Sequence, residues 1–172
     1  MNARTITDAC HVDVFELARS GGRVSGVVPA AALPRLAAAV TRIEGPLPFE
    51  FEGFVDEFGR PAARLQVHGR LIMACDRCNG PIDSALEARS TFFFVASEAE
   101  LNQVPIDESE IDALVGSPQF DVWNLVEDEA ILALPLSPRH EGCRPADIAE
   151  RPEEPGRGSP FAALEQLKAR KH

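Results

Sequence analysis

The stretch ARLQVHGRLIMACDRCNGPIDSALEARSTFFF, residues 63–94, predicts a β-hairpin that carries cysteines at its tip. Before the tip, apolar residues and one glycine occupy every second position from Leu65 to Met73, and most positions between them are polar. After the tip, the alternation resumes from Leu86 to Phe94. A period of two is typical of antiparallel strands that bury one face. We therefore predict an antiparallel sheet with C-D-R-C, Cys75–Cys78, at a hairpin turn. A hairpin centred near Cys78 would place Arg70 opposite Glu87.

Two short motifs with metal-ligand chemistry lie on either side of a 61-residue stretch: C-D-R-C and H-E-G-C. Thiolates and imidazole suit Zn²⁺, and a tetrahedral site can join two such pairs from separate loops. The predicted zinc ligands are Cys75, Cys78, His140 and Cys143. The spacing leaves two alternatives open, buried free thiols and a redox pair. A redox C-x-x-C opens a helix, whereas this motif is predicted in a hairpin.

The spacing of apolar residues, together with glycines and prolines, divides the rest of the chain into predicted strands and helices. Residues 11–28 contain short apolar runs and are predicted as one or two strands with a turn. Pro34 suits the first turn of a helix. Residues 49–54 return to the strand period, and Gly53 shifts its phase, which predicts a bulge.

The strongest helical pattern follows Asp121, which is the predicted N-cap, and ends before Pro135. Glu129 falls on the apolar stripe of this helix, whereas Glu127 and Asp128 fall on its polar side. A carboxylate on an apolar stripe needs a partner, because burying an unpaired charge is costly. We predict a structural ion pair between Glu129 and Arg77.

The chain is predicted to form a single α+β domain over residues 1–143. Its architecture is an antiparallel twisted sheet or partial barrel with a packed helix. Residues 144–160 contain four prolines and two glycines and are predicted as a flexible linker. Residues 161–172 are predicted as a short amphipathic helix on this tether. Its basic end would contact RNA or a protein partner through Lys168, Arg170 and Lys171.

The net charge of −10 argues against a protein that coats nucleic acid with its whole surface. Residues 97–130 hold ten acidic residues and no Lys or Arg, which indicates either a solvated flank or a docking surface for a basic partner. The chain has no Tyr, one Trp and no run that joins basic and aromatic residues. No Gly-rich phosphate loop or nucleophile motif is present, so we predict that the protein is not an enzyme.

No stretch approaches the roughly 20 apolar residues that a membrane span needs, and the first ten residues lack the apolar region of a secretory signal. We therefore predict a cytoplasmic location and no membrane partner. In that compartment, reduced or metal-bound cysteines are favoured over disulfides.

Taken together, the motifs resemble the YceD family of bacterial large-subunit ribosomal RNA accumulation proteins. The resemblance is carried by L-x-x-x-C-D-R-C from Leu71, V-E-D-E-A-I-L-A-L-P from Val126, the following Pro138, His140 and Cys143, and P-F-A-A-L-E-Q-L-K from Pro160. It implies a non-enzymatic factor of ribosome biogenesis that supports accumulation or processing of this RNA. The implied partners are a ribosomal protein or assembly factor and large-subunit ribosomal RNA, with no small-molecule substrate. The alternative is a zinc-ribbon-like or thiol-redox binding module.

Overall fold

The chain folds around a seven-stranded mixed sheet, beside which lies a two-stranded ladder. The computed structural model describes residues 3–6, 11–105 and 111–143. The strands are β1 Ala3–Ile6, β2 His11–Val12, β3 Arg23–Val28, β4 Arg42–Ile43, β5 Leu47–Val55, β6 Pro61–Ala74, β7 Pro81–Val95, β8 Asp112–Val115 and β9 Phe120–Asp121. The helices are α1 Val14–Ser20, α2 Pro34–Ala39, α3 Glu98–Leu101 and α4 Val122–Leu132.

The large sheet follows the order β1-β3-β5-β6-β7-β8, and β4 pairs with the far half of β6. Strands β3, β5, β6 and β7 are antiparallel neighbours, as the alternating pattern predicts. However, β1 runs parallel to β3 and β8 runs parallel to β7, so the sheet is mixed. Within the described residues, the two outermost strands do not pair with each other, and the sheet is open. The predicted α+β class is confirmed.

The two faces of the sheet differ in what they carry. On β6, Leu65, Val67 and Leu71 are at most 1% exposed, and α1, α2 and α4 contribute further buried residues to the same core. The intervening Arg64 and His68 of β6 are exposed. We call these the inner face and the outer face. The predicted alternation along β6 is confirmed, because burial follows its period of two.

The β6–β7 hairpin has a register two residues away from the predicted one. The sequence placed Arg70 opposite Glu87, but His68 lies opposite Glu87 and Arg70 lies opposite Ala85. The reason is the turn itself, which closes symmetrically between Cys75 and Gly80 through a 2.8 Å hydrogen bond from Cys75 N to Gly80 O. The centre of the hairpin therefore lies one residue before the position that the sequence indicated.

Helix α1 replaces the strand predicted in the first part of residues 11–28. Asp13 caps it, and its carboxylate accepts hydrogen bonds of 3.0 Å from the N–H groups of both Phe15 and Glu16. Gly21 ends it in the left-handed conformation with φ of 60°. Both signals are visible in the sequence, but a seven-residue helix is too short for its period to stand out.

Gly53 lies directly beneath helix α1. The predicted bulge is wrong, because the β5–β6 pairing runs without interruption through Gly53 and Phe54. A Cβ atom at Gly53 would lie 2.5 Å from the backbone C and O atoms of Leu17. The glycine is thus required for the close approach of the helix to the sheet.

Gly53→Ala is expected to destabilise the fold by about 1–3 kcal/mol, because the backbone of α1 has to move away from β5. Urea unfolding followed by circular dichroism measures this loss. Gln66→Ala, on the outer face of the neighbouring strand, is the control and should change stability little. Equal stability of Gly53→Ala and the wild type would contradict the close approach.

Helix α2 depends on a side chain from α4. Pro34 occupies its first turn as predicted, and no side chain of α2 or of its N-cap residue caps it. The carboxylate of Glu127 instead accepts hydrogen bonds from Arg35 N at 2.7 Å, Leu36 N at 3.0 Å and Arg35 Nε at 2.9 Å. Glu127 is 4% exposed. The sequence placed it on the polar side of α4, which is wrong because α2 packs against that side.

Helix α4 begins as predicted, because the Asp121 side chain accepts a 3.1 Å hydrogen bond from Asn124 N. Ser97 caps the short helix α3, and its hydroxyl oxygen accepts a 3.3 Å hydrogen bond from Glu100 N. The predicted linker 144–160 and C-terminal helix 161–172 lie outside the described residues.

Across the ranges that are described, no helix combines the length and the apolar character needed to cross a membrane.

Candidate metal centre

The four cysteine and histidine side chains singled out in the sequence meet at one point. The donor atoms of Cys75, Cys78, His140 and Cys143 all lie within 4.8 Å of one another. The Cys75 and Cys143 sulfurs are 3.6 Å apart, and the Cys78 sulfur is 3.3 Å from His140 Nδ1. Cys75 is 2% exposed and the other three are half-buried, so the cluster lies just under the surface.

The hairpin turn positions the first pair of ligands. Asn79 adopts a positive φ of 58°, and its N–H donates to Cys75 O at 2.8 Å. This reversal brings the backbone N–H of Arg77 to 3.4 Å from the Cys75 sulfur. Asn tolerates the left-handed region better than most residues, which explains its place after the second cysteine.

The loop after α4 carries the second pair and is fastened to the turn. The N–H of Asp76 donates to Pro138 O at 2.9 Å, and the Ser137 hydroxyl donates to the Asp76 carboxylate at 2.6 Å. The Arg77 guanidinium donates to Cys143 O at 3.1 Å. Gly142, with φ of 72°, reverses the chain between His140 and Cys143. These contacts hold the two loops together independently of the ligand atoms.

The hydrogen bonds of His140 select its tautomer. Its Nε2 lies 2.9 Å from the carbonyl oxygen of Pro81. Because a carbonyl can only accept, Nε2–H is the donor, and in the neutral ring Nδ1 keeps its lone pair. That lone pair faces the sulfurs. Metal-binding histidines are oriented in this way by a carbonyl or carboxylate on the other nitrogen. A backbone carbonyl has no sequence motif, so Pro81 was not foreseen in this role.

Electrostatics within the cluster favour a bound cation. Burial alone raises the pKa of Cys75, but hydrogen bonds from the backbone N–H groups of Cys78, His140 and Arg77 lower it to about 5. Burial and the neighbouring sulfurs raise the pKa of Cys143. The hydrogen bond with the Cys78 sulfur raises the pKa of His140. The Cys75 thiolate therefore forms readily, and its negative charge opposes the ionisation of Cys143. A divalent cation bound between the sulfurs would relieve this repulsion.

Two of the six separations between donor atoms are close to those around a tetrahedral ion, and all six are at most 4.8 Å. With Zn–S of about 2.3 Å, two sulfurs of a tetrahedron are separated by about 3.8 Å, and with Zn–N of about 2.0 Å a sulfur and a nitrogen are about 3.5 Å apart. The observed separations are 3.6 Å and 3.3 Å. The four residues could hold a metal ion. Three thiols and one imidazole are the donors of structural zinc sites.

Arg77 and Glu129, which the sequence predicts as an ion pair, each contact another group in the structure. Arg77 donates to Cys143 O, whereas the Glu129 carboxylate accepts a hydrogen bond from the Ser90 hydroxyl on the inner face of β7. The sequence pairs the two because a carboxylate on an apolar stripe needs a partner, and Arg77 lies inside the C-x-x-C motif. The strand β7, which passes beneath α4, supplies that partner as a neutral hydroxyl.

The other predicted contacts fall in different places. Lys168, Arg170 and Lys171 lie outside the described residues. In the acidic block 97–130, several carboxylates form contacts that stabilise the fold. Asp121 caps α4 and Glu127 caps α2, while Asp128 forms an ion pair and Glu129 binds a hydroxyl.

Comparison with known proteins identifies the family. The profile described as "Large ribosomal RNA subunit accumulation protein YceD" matches residues 63–168, which span all four candidate ligands. A relative from Haemophilus influenzae, named large ribosomal RNA subunit accumulation protein YceD, is 30% identical over 159 residues. The match covers 83% of this chain and 86% of the relative. A comparison with solved structures gives no significant match. The chain belongs to the YceD family.

Proposed function

We propose that this protein supports the accumulation of large-subunit ribosomal RNA in the cytoplasm, as a non-enzymatic factor that binds components of the assembling subunit. The observation that carries the proposal is the family match over residues 63–168. The name of the Haemophilus influenzae relative points to the same role. The partners we propose are large-subunit ribosomal RNA and a ribosomal protein or assembly factor.

We also propose that the cluster is a structural zinc site. Cys75, Cys78, His140 and Cys143 would hold the ion, which supplies a cross-link between the β6–β7 turn and the loop after α4. Four protein ligands complete a tetrahedron, whereas catalytic zinc sites keep one position open for water or substrate. The ligand set thus supports a binding protein rather than an enzyme.

A thiol-redox module is the second candidate, and the 3.6 Å between the Cys75 and Cys143 sulfurs is the observation in its favour. Reactive cysteines are accessible to their partners, however, and Cys75 is 2% exposed. The C-x-x-C also lies in a hairpin turn rather than at the start of a helix. Both facts favour the structural site.

The function is tested in cells that lack the gene. We expect the ratio of large-subunit to small-subunit ribosomal RNA to fall, and the wild-type gene supplied on a plasmid to restore it. Electrophoresis of total RNA measures this ratio. A double variant, Cys75→Ser with Cys78→Ser, should restore it poorly if the cross-link is required, at matched protein levels. An unchanged ratio in the deleted strain would reject the proposed function.

A further inference from the structure

The turn that joins β5 to β6 presents a phenylalanine to solvent, and hydrogen bonds to one carboxylate close the turn. The Asp56 carboxylate accepts hydrogen bonds from Phe58 N at 3.0 Å, Arg60 N at 2.8 Å and Arg60 Nε at 2.6 Å. Gly59 completes the turn with φ of 77°. Phe58 is nevertheless 73% exposed. An exposed aromatic ring can contact another molecule through its apolar face, and it becomes informative where it belongs to a cluster.

Arginines and phenylalanines alternate beside this turn, on the outer face. Phe54, Ala62 and Phe93 form one row across β5, β6 and β7. The Arg60 guanidinium lies 3.8 Å from the centroid of the Phe93 ring and 4.9 Å from that of Phe58. The Arg64 guanidinium lies 5.5 Å from the centroid of Phe54. Phe93 is 4% exposed and lies beneath Arg60, so its ring supports the guanidinium and is not itself open to a ligand. We call Phe54, Phe58, Arg60 and Arg64, with Phe93 beneath Arg60, the arginine–phenylalanine platform.

Nearby carboxylates balance only part of the positive charge of the platform. Arg60 neutralises Asp56, and Arg23 forms ion pairs with Glu50 and Glu52, the latter at 3.0 Å. Glu52 is the cross-strand neighbour of Arg64. In the part of the chain that the structure describes, Arg64 forms no ion pair. Its side chain is therefore free to meet a phosphate.

An open depression lies against the platform and has room for a planar ligand. Its volume is about 430 Å³, within the range of small-ligand sites. Its lining includes Phe54, Phe58, Arg64 and Thr91, together with the acidic Asp56 and Glu57. Asp56 is already paired with Arg60. Aromatic rings and guanidinium planes are the surfaces on which unpaired nucleobases stack, while arginines also contact the sugar–phosphate backbone.

We propose that the arginine–phenylalanine platform binds single-stranded RNA, with a base stacked on Phe58 and a phosphate at Arg64. This inference rests on the proposed function and locates its RNA contact on the sheet. The sequence alone did not reveal the platform, because its five residues come from three strands and one turn. Only the hairpin register brings them side by side. The platform is too small to coat RNA, which agrees with the net charge of −10.

The test uses the full-length protein and a fluorescently labelled twelve-nucleotide uridine RNA, with binding read from anisotropy. Phe58→Ala is expected to weaken binding roughly tenfold, the loss of one stacked base. Arg64→Gln should weaken it less and reduce the slope of log affinity against log salt by about 0.7, the loss of one phosphate contact. Leu132→Ala, at a site that is 77% exposed on α4, and Arg19→Gln on α1 are the controls.

Wild-type affinity in both platform variants would overturn the inference, as would wild-type protein that does not bind the oligonucleotide. Displacement of the RNA by an equal charge of polyglutamate would overturn it in favour of an acidic protein partner. Complementation separates this site from the function itself. If the deleted strain loses large-subunit ribosomal RNA and Phe58→Ala restores it fully, the function stands and the platform is rejected.

Discussion

Cys78→Ser is expected to abolish metal binding, lowering the content of untagged, purified protein from about one zinc per chain to about none. A ligand that binds only the folded state adds stability that grows with the logarithm of its free concentration relative to its dissociation constant. For a site filled a thousandfold above its dissociation constant in a chain of this length, removal lowers the melting temperature by about 10 °C. Elemental analysis and differential scanning calorimetry measure the two effects.

Ser137→Ala is the matched control for that experiment. It removes the 2.6 Å hydrogen bond between the same two loops and leaves all four ligands in place. We expect it to keep its zinc and to melt within a few degrees of the wild type. A chelator should lower the melting temperature of the wild type and of Ser137→Ala, but not that of Cys78→Ser. Wild-type protein that contains no metal and is indifferent to the chelator would rule out the site.

Glu127→Ala is expected to destabilise the protein by about 2–4 kcal/mol, because it removes a buried carboxylate that accepts three hydrogen bonds. The change leaves the N–H groups of Arg35 and Leu36 without their acceptor at the start of α2. Equilibrium unfolding in urea measures the loss. Because α2 and α4 separate when this contact is lost, hydrogen exchange should also quicken in α2.

Asp128→Ala is the control on the same helix. Asp128 pairs with the same arginine, but its side chain is 42% exposed, so its loss should cost less than about 1 kcal/mol. Glu127→Gln should fall between the two, since the amide oxygen can still accept from backbone N–H groups. Equal losses for Glu127→Ala and Asp128→Ala would show that burial does not determine the strength of this contact.

The elements that the sequence predicted well are those with a local cause. Apolar and polar residues alternate from Leu65 to Met73 because one face of β6 is buried, and this pattern can be recognised within consecutive residues. Asp121 begins α4 because its side chain reaches a backbone N–H three residues away. The juxtaposed ligands were also accessible from the sequence, since two close pairs of Cys or His residues are the pattern that a tetrahedral zinc site brings together.

The errors have a different origin, since each depends on a partner distant in sequence. Glu127 looks solvent-facing on an isolated helix, and only the approach of α2 makes its position buried. Gly53 reads as a bulge until α1 is placed above it. The register error followed from a turn whose closing hydrogen bond involves backbone atoms alone. Period and composition contain no information on such contacts.

With a metal bound, the cross-link between Cys78 and His140 would make a covalent-like ring of the chain between them, through β7, α3, β8 and α4. Such a closure restricts the unfolded chain more than the folded one, and the restriction grows slowly with ring size. A protease that cut once between Asn79 and Arg139 would leave two pieces held in one particle by the ion. A cut within those 61 residues would therefore release no fragment until the metal was removed.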